Sequence, residues 1–267
     1  MKRISCLFSS ILIIALTHGQ SVQEFPSWKE ILDNYNMDGT ILVYDQKEDK
    51  LLGYNPARWD SGYLPASTFK IVNSLVGLET GVVDTTFVFK WNGQKRRFPQ
   101  WEQDLNLREA FQTSCLPCYQ EVARKIGALR MNHFLDTLHY GHMDVHPENI
   151  DLFWLEGNSR ITPDEQLDFI KRLYNEELPL SLPTMKTIKN IMIQEETPEY
   201  RLSGKTGWSI RNGNNYGWFV GVLETMEGVY FMVVQIEPKD QQQVQDFAIA
   251  RKAIAMEVFR EMGVISE

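Results

Sequence analysis

The chain has 267 residues, 43% of them hydrophobic and 23% charged, and a formal charge of −8. This is the composition of an ordinary globular protein, long enough for one large domain or two small ones. The acidic balance argues against nucleic acid or an anionic membrane as the main partner.

The first twenty residues stand apart. Lys2 and Arg3 make a basic start, Leu7 to Leu16 a mostly apolar run, and Thr17 and Gly19 supply the small residues a cleavage site needs. Residues 1–19 read as a secretory signal peptide, too short for a stable membrane anchor, and 20–267 as a single exported domain. Cys6 precedes the apolar run, which argues against a lipid on that cysteine. Loss of Lys2 and Arg3 takes the formal charge from −8 to −10. No later stretch has the roughly 20 apolar residues of a spanning helix.

Trp28 to Asn34 has the pattern of a short amphipathic helix. Thr40–Tyr44 and Leu51–Tyr54 read as strands joined by the charged turn Asp45–Lys50, a hairpin. Pro65 then disfavours a helical Leu64, so a new element begins just after it. Between Ser67 and Leu78, Phe69, Ile71, Val72, Leu75, Val76 and Leu78 occupy more than one face of a helix, as a buried helix requires. Thr80-Gly81 ends it. From Val82 to about Ile193 the pattern is helical: Leu107–Thr113, Tyr119–Ile126, Ala128–Leu138, a helix opening at Thr162-Pro163 with Glu165 completing a capping box, and one from Pro183 or Thr184. Tyr200–Trp208, Gly217–Glu224 and Val229–Glu237 read as strands, the last two paired through Gly228. Phe247–Met262 is a closing helix. The economical packing is one antiparallel sheet built from both chain ends, covered by the terminal helices. A helical lobe (about residues 67–195) then lies on its other face, with a cleft where the lobes meet.

Two short motifs carry chemistry. Ser67 sits at a helix start and Lys70, three residues on, projects from the same face. A serine hydroxyl needs a base to become a nucleophile. A lysine serves only when deprotonated, which burial favours, and no carboxylate lies nearby in sequence to hold its charge. The bland alternative is an ordinary helix with a snorkelling lysine, and S-x-x-K alone recurs by chance in a chain this long. On a late strand, Lys205 and Thr206 offer a cation and a hydroxyl to an anionic group, and Gly204 and Gly207 let a ligand lie close to the strand. The backbone N–H of Trp208 is placed to join that of Ser67 as an oxyanion hole.

Ser-x-x-Lys followed by K-T-G is the order found in penicillin-recognising serine enzymes. The chain resembles the class D (oxacillinase-type) β-lactamases over nearly all of its mature length. The likeness rests on Tyr63–Lys70, Gln100–Leu105, Tyr119–Gly127, Tyr140-Gly141, Phe153–Gly157, Lys205–Gly207 and Tyr216–Gly221. The resemblance implies an α/β fold, the penicillin-binding transpeptidase-like αβα sandwich. It implies hydrolysis of β-lactam antibiotics, with Ser67 as nucleophile and Lys70 carboxylated by CO2 to act as general base. Trp154 would hydrogen-bond that carbamate, and Ser114 would relay protons. Lys205, Thr206, Gly207, Trp208 and Arg251 would bind the substrate. No metal and no cofactor beyond CO2 or bicarbonate are implied. Neither a nucleic-acid partner nor a stable membrane anchor is implied. The expected location is the periplasm, or outside the cell where no outer membrane exists, as monomer or homodimer.

Two positions depart from the family pattern. Leu116 stands where Ser-x-Val has valine, and His142 where Tyr-Gly-Asn has asparagine. Neither removes nucleophile or base, and His142 reads more readily as a structural contact than as a pH-dependent element. Cys115 and Cys118 are open to three readings: a redox pair, a local disulfide, or packing beside the active serine. We expect them to be dispensable for hydrolysis. The competing functions are a β-lactam sensor module or a D,D-peptidase, either acylating but deacylating slowly, and, last, a thiol oxidoreductase built on the two cysteines.

Overall fold

The structure, a computed structural model, describes residues 22–266. The expected signal peptide lies outside the described residues. The central sheet has the strand order β1-β3-β2-β9-β8-β7-β6. Its strands are β1 (Val22–Glu24), β2 (Met37–Asp45), β3 (Lys50–Tyr54), β6 (Ile193–Glu196), β7 (Tyr200–Arg211), β8 (Asn214–Thr225) and β9 (Val229–Pro238). All neighbours are antiparallel except β1 on β3. The β2–β9 ladder joins the two chain ends, with Ile41 opposite Val234 and Val43 opposite Met232. Strands β7 and β8 run past their expected bounds to meet at Asn212-Gly213, whose φ values of 52° and 81° suit the tight turn that an Asn-Gly pair favours.

The period of two along each strand sorts the core into two halves. Ile41 and Val43 of β2, with Met232 and Val234 of β9, pack against α1 (Trp28–Asn34) and α8 (Phe247–Glu261), where Trp28, Phe247, Ile254 and Val258 are fully buried. Leu42, Phe231 and Val233 point to the other face and join the helical lobe. That lobe is built from α2 (Lys70–Glu79), α3 (Leu107–Gln112), α4 (Leu116–Ile126), α5 (Ala128–Leu138), α6 (Pro163–Tyr174) and α7 (Leu182–Ile191). The result is the expected αβα layering.

Local chemistry explains most boundaries. Thr162 and Glu165 form the expected capping box on α6, and Asn106 with Glu109 forms a second on α3. Ser181 caps α7 one residue earlier than its expected start, and α7 stops at Ile191 because the chain turns into β6 at Ile193. A short ladder of β4 (Val88–Phe89) and β5 (Leu105–Asn106) closes the loop over residues 90–104. Ser67 lies in a 3-10 turn over Ala66–Phe69, and the α-helix proper begins at Lys70. Among the described residues no helix is long and apolar enough to cross a membrane.

Candidate active site

The turn that carries Ser67 is held by four ties to the rest of the chain. Tyr63 pairs with Ile161 through two backbone hydrogen bonds of 2.9 and 2.8 Å. Trp218 of β8 donates its indole N–H to the Leu64 carbonyl at 2.9 Å. The Ala66 N–H donates to the Trp154 carbonyl at 2.9 Å, and Ala66 adopts a left-handed φ of 52°. Non-glycine residues rarely hold that conformation without support from their surroundings. Thr68 donates to the Pro65 carbonyl and accepts from Gln166 of α6, which ties the turn to the helical lobe.

Lys70 follows directly, almost wholly shielded at 1% exposure. Its Nζ donates to Ser67 Oγ at 2.8 Å. Burial, reinforced by the nearby Lys205 charge, pushes this amine well below the usual lysine range. No carboxylate pairs with it among the described residues; its other neighbour is the face of Tyr119, 5.4 Å from Nζ to ring centre. A neutral amine beside a serine hydroxyl can accept its proton. Tyr119 is itself fixed by Ser74, whose Oγ lies 2.7 Å from the phenol oxygen.

Trp154 stacks on Phe69, the residue before Lys70, with centroids 5.6 Å apart and planes 17° from parallel. Its indole N–H is buried and has no partner. Buried indole N–H groups ordinarily find an acceptor, so this one is a donor left available.

The K-T-G segment lies on β7, whose edge is free beyond β6. Gly204 N–H donates across that edge to the Met192 carbonyl, so by strand alternation the N–H of Trp208 points to the same edge, where no strand covers it. A Cβ on Gly207 would stand 3.1 Å from the Pro65 carbonyl and 3.3 Å from Thr68, so glycine lets β7 press on the Ser67 turn. Lys205 is 4% exposed, and burial, then the Arg251 cation, lowers it to about 7. Its Nζ donates to the Thr206 carbonyl at 3.2 Å, and the amine lines a cavity of about 370 Å³ with Phe111, Met192, Gln194, Thr206 and Lys252. Arg251 of α8 crosses Gly217, where any Cβ would strike it at 2.9 Å, and donates to the Gly207 carbonyl at 2.8 Å. Its guanidinium lies 5.6 Å over the Trp208 ring.

Ser114 is half-buried just past α3 with a left-handed φ of 55°, and its side chain makes no hydrogen bond to Ser67 or Lys70. Cys115 and Cys118 form a disulfide with Cα atoms 5.4 Å apart, which selects one of the three open readings. Leu116 opens α4, half-buried against the helical-lobe core. His142 is exposed and makes a backbone bridge with Arg160, the behaviour of a structural contact. Residue reasoning gave no part to Tyr119, Phe111 or Trp218. All three are buried aromatics; Tyr119 and Trp218 lie in stretches that carry the family likeness, but that likeness gave them no role.

Comparison with known proteins agrees with this geometry. The family model of the penicillin-binding protein transpeptidase domain matches residues 38–261. The OXA-5 β-lactamase of Pseudomonas aeruginosa is 34% identical over 269 residues, covering 99% of each chain. Among solved structures, the class D β-lactamase of Sebaldella termitidis superposes with a TM-score of 0.87 at 38% identity, covering 92% of this chain and 98% of that one. The C-terminal domain of the Bacillus licheniformis BlaR penicillin receptor gives a TM-score of 0.86 at 27% identity, covering 94% and 100%. The fold is that of the penicillin-binding transpeptidases. Within it, the chain belongs to the class D β-lactamases, serine hydrolases.

Proposed function

We propose that this chain hydrolyses β-lactams through an acyl ester on Ser67, with Lys70 as the general base. The observation that carries the reading is the 2.8 Å contact between Ser67 Oγ and a buried amine whose charged form burial disfavours. Lys70 takes the Ser67 proton as Oγ attacks the lactam carbonyl. The N–H groups of Ser67 and Trp208 receive the developing oxyanion. The ring C–N bond breaks, and Ser114 passes a proton to the departing nitrogen. Water then cleaves the ester, releasing the opened acid and restoring the Ser67 hydroxyl. Lys205, Thr206 and Arg251 orient the substrate carboxylate, with Gly207 keeping β7 close to the Ser67 turn.

A carbamate formed on Lys70 from CO2 would supply a carboxylate-type base that is ionised at neutral pH. The site fits it, because the amine is held neutral and the orphan N–H of Trp154 is an available donor. The reading includes export to the periplasm, which the signal-like residues 1–19 support.

One observation favours a second reading. The BlaR receptor domain has nearly the same fold likeness as the β-lactamases, so a slowly deacylating sensor is the alternative. Turnover of a chromogenic β-lactam by purified protein, with and without bicarbonate, separates them. Many turnovers, faster with bicarbonate, are expected. A single stoichiometric burst under both conditions overturns the hydrolase reading.

A further inference from the structure

The molecule is acidic, yet one segment is not. Residues 90–104 carry Lys90, Lys95, Arg96 and Arg97 against Glu102 and Asp104, so the remainder of the chain holds a formal −10 out of the total −8. The same segment exposes apolar side chains: Trp91 is 37% and Phe98 40% exposed, with Val88 of the adjoining β4 at 40%. From Lys90 to Gln100 every residue except half-buried Arg96 is exposed.

This is a built protrusion. The β4–β5 ladder closes its base. Trp91 N–H donates to Asp104 at 3.0 Å, and its indole donates to the Gln94 carbonyl at 2.8 Å. Arg96 donates from its backbone to Glu102 at 2.9 Å and from its guanidinium to Asn92 at 3.1 Å. Phe98 packs edge-on against Trp101, whose indole donates to the Thr113 carbonyl beside Ser114. Lys90 is paired with Asp104. Lys95 and Arg97 have no carboxylate within ion-pair distance among the described residues, and Arg97 lies 5.3 Å over the Phe98 ring. Cations interleaved with an exposed Trp and Phe are what an interfacial anchor combines: charge for headgroups, and rings that sit at headgroup depth.

We infer that the 90–104 loop docks the exported enzyme on an anionic phospholipid surface. The overall negative charge does not forbid this. Charges farther from the lipid than the Debye length, about 8 Å at physiological salt, are screened, so the contacting loop decides. A soluble polyanion would need the cations alone and leave the exposed rings without a role. Docking through this loop would place the Ser114 rim of the cleft near the lipid surface.

The test is co-sedimentation of protein purified after export with vesicles of phosphatidylcholine, with or without phosphatidylglycerol, at low and high salt. Binding is expected only with phosphatidylglycerol and is expected to fall at high salt. The Lys95→Glu/Arg97→Glu variant should bind at least about tenfold more weakly, since each surface cation contributes about fivefold. Phe98→Ser should also weaken vesicle binding, while a soluble polyanion such as heparin should not displace the protein by binding it comparably. Hydrolysis of a soluble chromogenic β-lactam is expected to be unchanged in both variants, which shows that they fold. No binding to phosphatidylglycerol vesicles by wild-type protein overturns the inference. So does binding that both variants retain in full, or heparin binding as tight as vesicle binding with no effect of Phe98→Ser.

Discussion

Lys70 and Lys205 are both buried amines, and the difference between their surroundings underlies the proposal of one as a base and the other as a binding group. Lys70 starts α2 among Ser67, the Tyr119 ring and the Phe69–Trp154 stack. It meets a hydroxyl and an aromatic face, and burial drives it far down. Lys205 sits on a strand, bonds the Thr206 carbonyl and opens to a cavity, and it is held at about 7. Equal burial therefore does not give equal chemistry. An enclosed amine beside a hydroxyl is a proton acceptor. One at a cavity edge can recover its charge when an anion arrives.

Lys70→Ala breaks this comparison hardest. Loss of the proposed general base should lower turnover by about 10³- to 10⁴-fold while a trace of acylation persists, measured by steady-state rates and by mass of the acyl ester. Wild-type turnover in that variant would remove Lys70 from the role. Trp154→Phe sharpens the Lys70 side. It keeps a ring for the Phe69 stack and deletes the orphan N–H. A bond to a charged group contributes about 1.5 to 3 kcal/mol, so activity at ambient CO2 should fall roughly 10- to 100-fold and recover with bicarbonate. A variant indifferent to bicarbonate would disconnect Trp154 from the base.

The Lys205 side answers to different measurements. Arg251→Ala should raise KM by about tenfold or more with a smaller change in kcat, because in the proposed role it holds a group remote from the bond that breaks. A fall in kcat alone would count against it. Next comes pH. The Lys205 amine is lowered from 10.5 to about 7 by folding, so between those values the unfolded chain binds the extra proton. Its contribution to stability rises with pH across that window and is lost as pH falls through about 7. Its charge, and with it the attraction for a carboxylate, is lost in the opposite direction. KM should therefore climb as pH rises through about 7, and Lys205→Arg, whose guanidinium does not titrate there, should flatten the climb. A wild-type KM that stays flat from roughly pH 6 to 9 would sink the assignment.

Legibility in the sequence followed how local each feature is. Ser67 and Lys70 are one helical turn apart and Lys205–Gly207 are contiguous, so both motifs were visible in the strings themselves. The Thr162–Glu165 box and the Phe247, Ala250, Ile254 and Val258 stripe were equally local, and each is where the pattern put it. The four-residue β6 and the two-residue β4 and β5 are too short to leave a period, and α7 was accordingly drawn into β6. The 3-10 start at Ala66 reflects contacts to Trp154 and Trp218 that come from far along the chain and override local helix preference. Trp154 entered through family likeness, while its missing partner is a fact of packing alone.

The smallest expected effect concerns the Cys115–Cys118 disulfide, which follows Ser114 in the chain and spans the start of α4. Cys115 Sγ also lies 3.3 Å from the Cys118 N–H at the start of α4, so the pair shapes a helix end and touches no reacting atom. A bridge that closes so short a loop removes little freedom from the unfolded chain, about 2 kcal/mol on the loop-entropy account. Cys115→Ala/Cys118→Ala should therefore melt several degrees lower, by about 4 to 8 °C for a domain of this size. Its turnover of a chromogenic β-lactam at ordinary temperature should match wild type. Loss of turnover in a double variant that still shows a cooperative melt would mean that the bridge sets the position of Ser114. The distinction between the two lysines would then be incomplete without a third element, the bridged turn that carries Ser114.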